Sequence, residues 1–394
     1  MVRSDNFNGF NTKAVQSGEL RDQRFGNITT PIFENSTFVF PNYEKDAYLD
    51  HTRKEPYIYS RWGNPTTQSL ELKYAALEGS EEGLAFSSGM SAISTAVIAT
   101  LGNGGKLLSV GELYGQTQMF FAQTLKNYGF SVDFISMRDF NAGKYDCSGY
   151  SAVYTESITN PTLMVADIRN ASRICGEFDI PLLVDATFAS PFNQKPITLG
   201  ASVAIHSATK YISGHSDVIL GLVGSGTRLF QGISSLRKSL GGTPDPLQSY
   251  LALRGLKTLG LRMAKHNTNG MELAKFLKQH KKIRKVFYPG IEESEFFDIA
   301  RNNLTGYGGM VSFEIAGGIE KTRKFIENLT IASAAPSLGG VESLITLPVD
   351  TSHSKISRED RLKMGIEDSL VRFSCGIEDI EDIVTDFENA LASI

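Results

Sequence analysis

Between residues 83 and 206, short apolar runs alternate with segments whose composition is typical of helices. The runs are Gly83–Phe86, Lys106–Val110, Ser131–Ser136, Ser151–Ser157, Pro181–Asp185 and Val203–His206. Strands that alternate with helices predict an α/β fold with a mostly parallel sheet, covered by helices on both faces. Ligands bind such sheets at the carboxyl ends of the strands. The residues that follow each run are therefore candidates for binding and catalysis.

The pattern changes near residue 250. Two long helical stretches, Leu247–Leu253 and Leu261–His280, come before the strand-like runs Ile283–Tyr288 and Gly308–Ile315. Helices followed by strands predict a second, smaller α+β domain. An amphipathic helix over Glu378–Ile394 is expected to close this domain.

The first 62 residues lack a sustained hydrophobic period and are rich in turn formers and aromatic residues. Because such an arm cannot bury its rings alone, we expect it to lie on the body of its own subunit or on a neighbour. The predicted organisation is an N-terminal arm (1–62), an α/β domain (63–250) and a C-terminal α+β domain (251–394). The arm ends at Arg61, which beside Tyr59 is suited to planar recognition of a phosphate.

Composition and charge disfavour several classes of function. The net charge of −4 and the pI of about 5.9 provide no basic field for nucleic acid or an anionic membrane. The opening residues are too polar for a signal peptide, and no apolar run approaches the roughly 20 residues of a membrane helix. Three widely spaced cysteines, Cys147, Cys175 and Cys375, form no metal-binding pattern. We therefore expect a cytoplasmic protein without a metal site.

The last of the apolar runs is followed by a lysine, Lys210, which Ser207 and Thr209 precede. A lysine amine condenses with an aldehyde only when it is neutral part of the time, which requires a partly desolvated position. The two hydroxyls are suited to a phosphate ester. Asp185 ends an earlier run, where a carboxylate can hold a pyridine nitrogen protonated. Together these residues predict a Schiff-base lysine for pyridoxal 5'-phosphate; the alternatives are a surface lysine and a helix-capping aspartate.

Three further positions are typical of a site for a phosphate and an amino acid. The strand, small-residue turn and helix start around Ser88 would direct the backbone N–H groups of Gly89 and Met90 at a phosphate. Tyr114 offers a ring that could stack on a pyridine, or simply pack. Arg372 lies within an apolar strand pattern, so its guanidinium needs an anion, either a protein carboxylate or that of a substrate.

Taken in order, these segments resemble the γ-family of transsulfuration enzymes, a pyridoxal-phosphate-dependent group. It contains cystathionine γ-synthase, cystathionine γ- and β-lyases, methionine γ-lyase and the homoserine-ester sulfhydrylases. The resemblance covers nearly the whole chain and rests on short motifs: Tyr59–Arg61 with Asn64–Thr66, Ser87–Met90, Glu156–Ser157 with Asn160–Thr162, Asp185, His206–Tyr211, Ser337–Ser343 and Arg372.

This resemblance implies fold type I of the pyridoxal-phosphate-dependent transferases, the aspartate aminotransferase-like fold. It implies that Lys210 binds the cofactor aldehyde, Asp185 the pyridinium nitrogen and Tyr114 the ring face. The phosphate contacts that it implies come from Gly89, Met90, Ser207 and Thr209 of one subunit and from Tyr59 and Arg61 of the adjacent subunit.

The same resemblance implies that Asn160, Ser337 and Arg372 orient the substrate, the arginine through the substrate carboxylate. Lys210 would act as the base, with Tyr114 or Tyr59 assisting proton transfer. Because one site would need two chains, the expected assembly is a homo-oligomer, a tetramer built as a dimer of dimers.

Three positions depart from the family pattern. Ala186 follows Asp185 where asparagine is usual, so we expect one hydrogen bond fewer around that carboxylate. Gln116 replaces a cysteine typical of methionine γ-lyases. Pro336 precedes Ser337 where many cystathionine enzymes have a glutamate. The departures disfavour dedicated methionine cleavage and weaken selectivity for cystathionine.

The resemblance implies γ-replacement or γ-elimination on homoserine esters or cystathionine-type amino acids. Methionine γ-lyase, homoserine-ester sulfhydrylase and cystathionine β-lyase activities remain alternatives. An aminotransferase or decarboxylase on the same fold, or a non-catalytic protein that binds the cofactor, is the alternative of a different class, since a fold alone does not fix a reaction.

Overall fold

The computed structural model describes residues 7–22, 24–39, 57–354 and 356–394. Its larger sheet has the strand order β1-β7-β6-β5-β4-β2-β3, in which β7 runs antiparallel to both of its neighbours, β1 and β6, and the other pairs are parallel. The mostly parallel α/β sheet expected from the alternating runs is confirmed. The strands are β1 Glu82–Phe86, β2 Lys106–Val110, β3 Ser131–Ile135, β4 Ala152–Glu156, β5 Leu182–Asp185, β6 Val203–Ser207 and β7 Gly221–Ser225.

Helices cover both faces of this sheet, because successive strand residues point to opposite sides and both sides are apolar. Leu108 belongs to one buried cluster and its neighbour Leu107 to the other. The helices are Phe10–Gln16, Pro65–Glu78, Gly89–Leu101, Gly115–Met119, Leu125–Asn127, Met137–Asn141, Ile168–Glu177, Ser190–Asn193, Thr227–Leu240 and Pro246–Leu256, with a π-helical turn at Phe120–Thr124 and a 3-10 turn at Pro196–Leu199.

The first long helix illustrates how local sequence sets these bounds. Asn64 caps Pro65–Glu78 by accepting a hydrogen bond from the backbone N–H of Thr66 at 2.9 Å. Pro65 occupies the first turn, where a missing N–H costs nothing. Gly79 ends the helix with a φ of 80°, a conformation that glycine adopts readily.

The second sheet has the order β10-β11-β12-β9-β8 and is mostly antiparallel. Its buried cluster contains four phenylalanines, Phe313, Phe325, Phe373 and Phe387. The strands are β8 Ile283–Phe287, β9 Met310–Ile315, β10 Ser333–Ala334, β11 Leu344–Thr346 and β12 Leu370–Ser374; the helices are Leu259–Gln279, Phe297–Asn303, Ile319–Glu327, Arg358–Lys363 and Ile380–Ala392, and a 3-10 turn lies at Pro348–Asp350.

The helix Leu259–Gln279 joins the two sheets. Leu259 and Met263 at its start belong to the cluster beneath the large sheet, whereas Leu273 and Leu277 near its end belong to the cluster of the small sheet. A domain boundary near residue 250 stays a prediction. Within the described ranges, no helix is both long enough and apolar enough to cross a membrane.

The N-terminal arm contains an element that the sequence patterns did not predict, the helix Phe10–Gln16. This helix lies on the body of its own subunit: Lys73 Nζ donates a hydrogen bond to the carbonyl oxygen of Ala14 at 2.8 Å, and the ring of Phe10 meets that of Phe192 edge-on. The aromatic residues between positions 40 and 56, which we expect to pack on a subunit surface, lie outside the described residues.

Candidate active site

A cavity of about 640 Å³ opens at the carboxyl ends of β4, β5 and β6, where the second sheet meets the first. Of the twelve residues predicted for the site, ten line this cavity: Gly89, Met90, Tyr114, Asn160, Asp185, Ser207, Thr209, Lys210, Ser337 and Arg372. The other two, Tyr59 and Arg61, are not among the lining residues of the same chain.

Lys210 lies in the turn that follows β6. Its Nζ donates a hydrogen bond to Ser337 Oγ at 2.8 Å. Burial, followed by the charge of Arg372, lowers the pKa of Lys210 to about 8. The amine is therefore neutral part of the time near neutral pH, as condensation with an aldehyde requires.

Asp185 is the last residue of β5, and it is 8% exposed. Both the backbone N–H and the hydroxyl of Thr187 donate hydrogen bonds to its Oδ1, at 2.9 and 2.5 Å. Burial raises the pKa of Asp185, and the bonds from Thr187 oppose that rise. Thr187 thus supplies hydrogen bonds beside Ala186, the position where asparagine was expected.

Thr187 also connects two parts of the site, because its Oγ1 accepts a hydrogen bond from the backbone N–H of Ser207 at 2.8 Å. Sequence reasoning did not identify this residue. The available signal was a hydroxyl two positions after a strand-ending aspartate, a spacing typical of local side-chain turns.

Gly89 and Met90 occupy the first turn of the helix Gly89–Leu101, where backbone N–H groups have no acceptor within the helix. Ser88 caps this helix by accepting from Ser91 N at 3.1 Å. A Cβ on Gly89 would lie 2.8 Å from Ser207 Cβ, so glycine permits the close approach of helix start and strand end. This junction can bind an anion.

Thr209 lines the same end of the cavity, but its hydroxyl is already engaged. Its Oγ1 accepts from Leu220 N at 3.0 Å and is 3.3 Å from the carbonyl oxygen of Leu220. These bonds fix the turn that carries Lys210 against the segment before β7.

Tyr114 exposes 44% of its surface and lies just before the helix Gly115–Met119. Its backbone N–H donates to Glu156 Oε1 at 2.7 Å. Glu156 ends β4 directly opposite Asp185 in the parallel register. Burial, followed by the charge of Asp185, raises the pKa of Glu156 well above its usual range. The family-like motif included Glu156, but sequence reasoning gave it no role.

Arg372 comes from β12 of the second sheet and is 5% exposed. It donates to Asn160 Oδ1 at 3.2 Å and to the carbonyl oxygen of Ser337 at 3.0 Å. Burial lowers its pKa to about 10, so the guanidinium remains charged at neutral pH. Because both acceptors are neutral, the buried charge favours an incoming carboxylate.

Tyr59 and Arg61 lie on the surface of the chain. The Arg61 guanidinium is 5.6 Å from the centre of the Tyr59 ring, and it donates to the carbonyl oxygen of Lys238. Across the described ranges, no group of three or more histidine, cysteine, aspartate or glutamate side chains could hold a metal ion.

The mostly parallel sheet, with a lysine after one strand and an aspartate at the end of its neighbour, defines the class: a fold type I, pyridoxal-phosphate-dependent enzyme. Residues 11–392 match the family model described as "Cys/Met metabolism PLP-dependent enzyme". The chain belongs to this family.

Its relatives agree over most of the chain. The cystathionine gamma-lyase of Dictyostelium discoideum is 37% identical, with 99% of both chains covered. The chloroplastic cystathionine gamma-synthase 1 of Arabidopsis thaliana is 40% identical over 93% of this chain, which spans 66% of that relative's length. The structure of cystathionine gamma-lyase from Lactobacillus plantarum, complexed with L-serine, has a TM-score of 0.92 at 36% identity, covering 98% of this chain and 99% of that one. Relatives named L-methionine gamma-lyase and cystathionine beta-lyase are each 39% identical, so overall identity does not separate the reactions.

The residues present fit pyridoxal 5'-phosphate. Asp185 is a buried carboxyl, and the groups of Thr187 that donate hydrogen bonds to it are uncharged. A protonated pyridine nitrogen would give it a cationic partner. The start of the helix at Gly89 suits the phosphate, and the partly neutral amine of Lys210 suits the aldehyde.

Proposed function

We propose that this enzyme catalyses γ-replacement or γ-elimination on homoserine esters or cystathionine-type amino acids. The observation that carries the proposal is the pairing of Lys210 with Arg372 in one cavity. Ser337 contacts both: its hydroxyl accepts from Lys210 Nζ, and its carbonyl oxygen accepts from Arg372. A single residue thus bridges the partly neutral amine of Lys210 and the buried guanidinium of Arg372. This arrangement suits the α-carbon and the carboxylate of one amino acid.

In this proposal Lys210 binds the cofactor aldehyde, Asp185 the pyridine nitrogen and Tyr114 the ring face. The backbone at Gly89 and Met90 holds the phosphate together with Ser207. Thr209 contributes by turning its hydroxyl from the carbonyl oxygen of Leu220, which is 3.3 Å away, to the phosphate. When bound, the cofactor supplies an electron sink that makes hydrogens near the amino group of the substrate acidic.

The protein residues then position the substrate and move protons. Arg372 binds the α-carboxylate, and Asn160 holds the guanidinium through its Oδ1. Lys210 Nζ would take the proton from Cα, because its lowered pKa leaves it neutral part of the time. The proton from Cβ would go to Lys210 once the lysine has given up the first proton, with the Tyr114 phenol in the same cavity assisting the transfer. The γ-substituent would then leave with the electron pair of its bond to Cγ.

We further propose that Tyr59 and Arg61 complete the site of a neighbouring subunit in a cytoplasmic homotetramer. In support, both residues are exposed and lie outside the cavity of their own chain. Mixing an Arg61→Ala chain with a Lys210→Ala chain should restore sites that contain neither defect. An absence of any recovered activity in well-mixed hybrids would contradict the shared site.

The substrate is tested by incubating the enzyme with cystathionine, methionine, and O-acetyl- or O-succinylhomoserine, with and without cysteine. Measurements of 2-oxo acid, thiol and cystathionine distinguish elimination from replacement. We expect 2-oxobutanoate from γ-elimination and cystathionine when cysteine is present. Pyruvate as the sole oxo acid from cystathionine would instead indicate β-elimination, and an amino-acid:2-oxo-acid exchange would indicate an aminotransferase.

Pro336 lines the cavity in the position where a glutamate would contact a distal ammonium group. A charge-assisted hydrogen bond of this kind contributes about 1.5–3 kcal/mol, or roughly ten- to hundredfold in affinity. Pro336→Glu should therefore raise the preference for cystathionine over the homoserine esters. An unchanged substrate ranking would refute this assignment of the pocket.

A further inference from the structure

We propose that Glu156 is a positioning residue that fixes the ring of Tyr114 over the cofactor, and that it acts as a hydrogen-bond acceptor rather than as a charge. The inference rests on the proposed function, since it assumes that the cofactor lies between Tyr114 and Asp185. It adds a role for a residue that contacts neither the substrate carboxylate nor the reactive amine.

The geometry joins Glu156 to both sides of the cavity. It ends β4, is 6% exposed and pairs in register with Asp185 on β5. Its Oε1 accepts the backbone N–H of Tyr114 at 2.7 Å. One buried group therefore ties the main chain of the residue proposed to cover the cofactor ring to the strand beside Asp185.

Tyr114 depends on such a tether because its own side chain does not cap the helix Gly115–Met119 that it precedes. On the other side of this turn, a Cβ on Gly115 would lie 2.2 Å from the carbonyl oxygen of Ser352. The turn is thus confined between Ser352 and Glu156. Loss of the acceptor would free the backbone N–H of Tyr114, and the ring would lose its fixed position.

The charge of Glu156 contributes little in this arrangement. Two adjacent buried carboxyls do not both ionise readily, and only Asp185 receives the hydrogen bonds of Thr187. A neutral carboxyl still has an oxygen that accepts a hydrogen bond. Glutamine keeps that acceptor and nearly the same shape, whereas leucine keeps only the volume.

The test compares Glu156→Gln and Glu156→Leu holoenzymes with the wild type. Glu112→Leu is the matched control, because Glu112 also accepts a backbone N–H next to this segment, from Met137 at 3.0 Å, but does not line the active-site cavity. The measurements are hydrogen exchange at the Tyr114 amide, the rate at which pyridoxal 5'-phosphate is released, and the pH profile of kcat/KM.

We expect Glu156→Gln to match the wild type in all three measurements. Glu156→Leu should speed both amide exchange and cofactor release about tenfold, as loss of one buried hydrogen bond predicts. Glu112→Leu should leave both rates unchanged. Wild-type rates in Glu156→Leu, or a shifted pH profile in Glu156→Gln, would overturn the inference. If Glu156→Leu does not fold, the pH profile of kcat/KM in Glu156→Gln decides. A profile equal to that of the wild type supports the inference, and a shifted profile overturns it.

Borohydride reduction of the wild type separates this inference from the function on which it rests. If the pyridoxyl label is absent from Lys210, the proposed cofactor site is wrong. If Lys210 is labelled and Glu156→Leu still behaves as the wild type, only the role of Glu156 is refuted.

Discussion

The amine of Lys210 should titrate far below an ordinary lysine when the cofactor has been removed. Its pKa of about 8, against an ordinary 10.5, is caused first by burial and then by the charge of Arg372. At a pH of about 7.5, these values make roughly a quarter of the amine neutral instead of roughly one part in a thousand. The neutral share thus rises about 200-fold.

Competitive labelling of the apoenzyme with a trace of acetic anhydride measures this neutral share directly. The labelled Lys210 peptide, quantified by mass spectrometry from pH 6 to 11, should reach half its maximal rate near pH 8. Arg372→Gln should move this midpoint upward but keep it below 10.5, because burial remains. A wild-type midpoint near 10.5 would refute the argument from desolvation, and an unmoved midpoint in Arg372→Gln would refute the contribution of its charge.

The same titration predicts a dependence of stability on pH. Between pH 8 and 10.5 the unfolded chain keeps a proton on Lys210 that the folded chain has released, so the free energy of unfolding rises with pH in that window. Urea denaturation of the apoenzyme should show this rise, relative to a Lys210→Met variant that lacks the group. Equal slopes in the two proteins would contradict the lowered pKa.

Substitutions at three further positions test the surroundings of the site and the core of the small sheet. Thr187→Val removes the hydroxyl that donates to Asp185 and should lower kcat about tenfold, while Thr187→Ser, which keeps the hydroxyl, should not; equal effects would argue against the bond. Gly214→Ala places a Cβ 2.0 Å from Nη1 of Arg262 at a φ of 71°, so a clear loss of Tm is expected in thermal unfolding, and an unchanged Tm would show that the turn relaxes freely. Phe387→Ala should lower the free energy of unfolding, measured by urea denaturation, by about 3–5 kcal/mol but leave kcat of the folded enzyme unchanged. A loss of bound cofactor without unfolding would contradict the separation of the buried cluster of the small sheet from the active site.

The sequence predicted the parts of the fold that have a strong hydrophobic period. The runs that became β1 to β6 and the closing amphipathic helix were identified, with small differences at their ends. The strand Gly221–Ser225 was missed because its glycines are typical of a turn. Its burial on both faces of the sheet, a tertiary effect, makes it a strand. The helix Thr227–Leu240 was missed with it.

The structure brings into one cavity three residues whose chemistry is visible in a single side chain, Lys210, Asp185 and Arg372. Lys210 was chosen as an amine beside two hydroxyls at a strand end, Asp185 as a carboxylate that ends a strand, and Arg372 as a guanidinium that needs an anion within an apolar strand. Thr187 and Glu156 were given no role because their functions come from neighbours that only the fold supplies. The assignment of all these roles to cofactor and substrate stays a prediction.

The lysine cavity is built from two sheets that make different contributions. The side chains proposed to hold the cofactor come from the seven-stranded sheet and its connections, whereas Pro336, Ser337 and Arg372 come from the part of the chain that forms the five-stranded sheet. Ser337 and Arg372 also act on Lys210, the first through a hydrogen bond and the second through its charge. A change at Pro336, by contrast, can alter which amino acid is accepted while the residues proposed to hold the cofactor stay in place. Such a division lets related enzymes share one reactive centre and differ in substrate. It makes the segment from Pro336 to Ser352, with Ser337 kept, the rational target for directed evolution of new substrates.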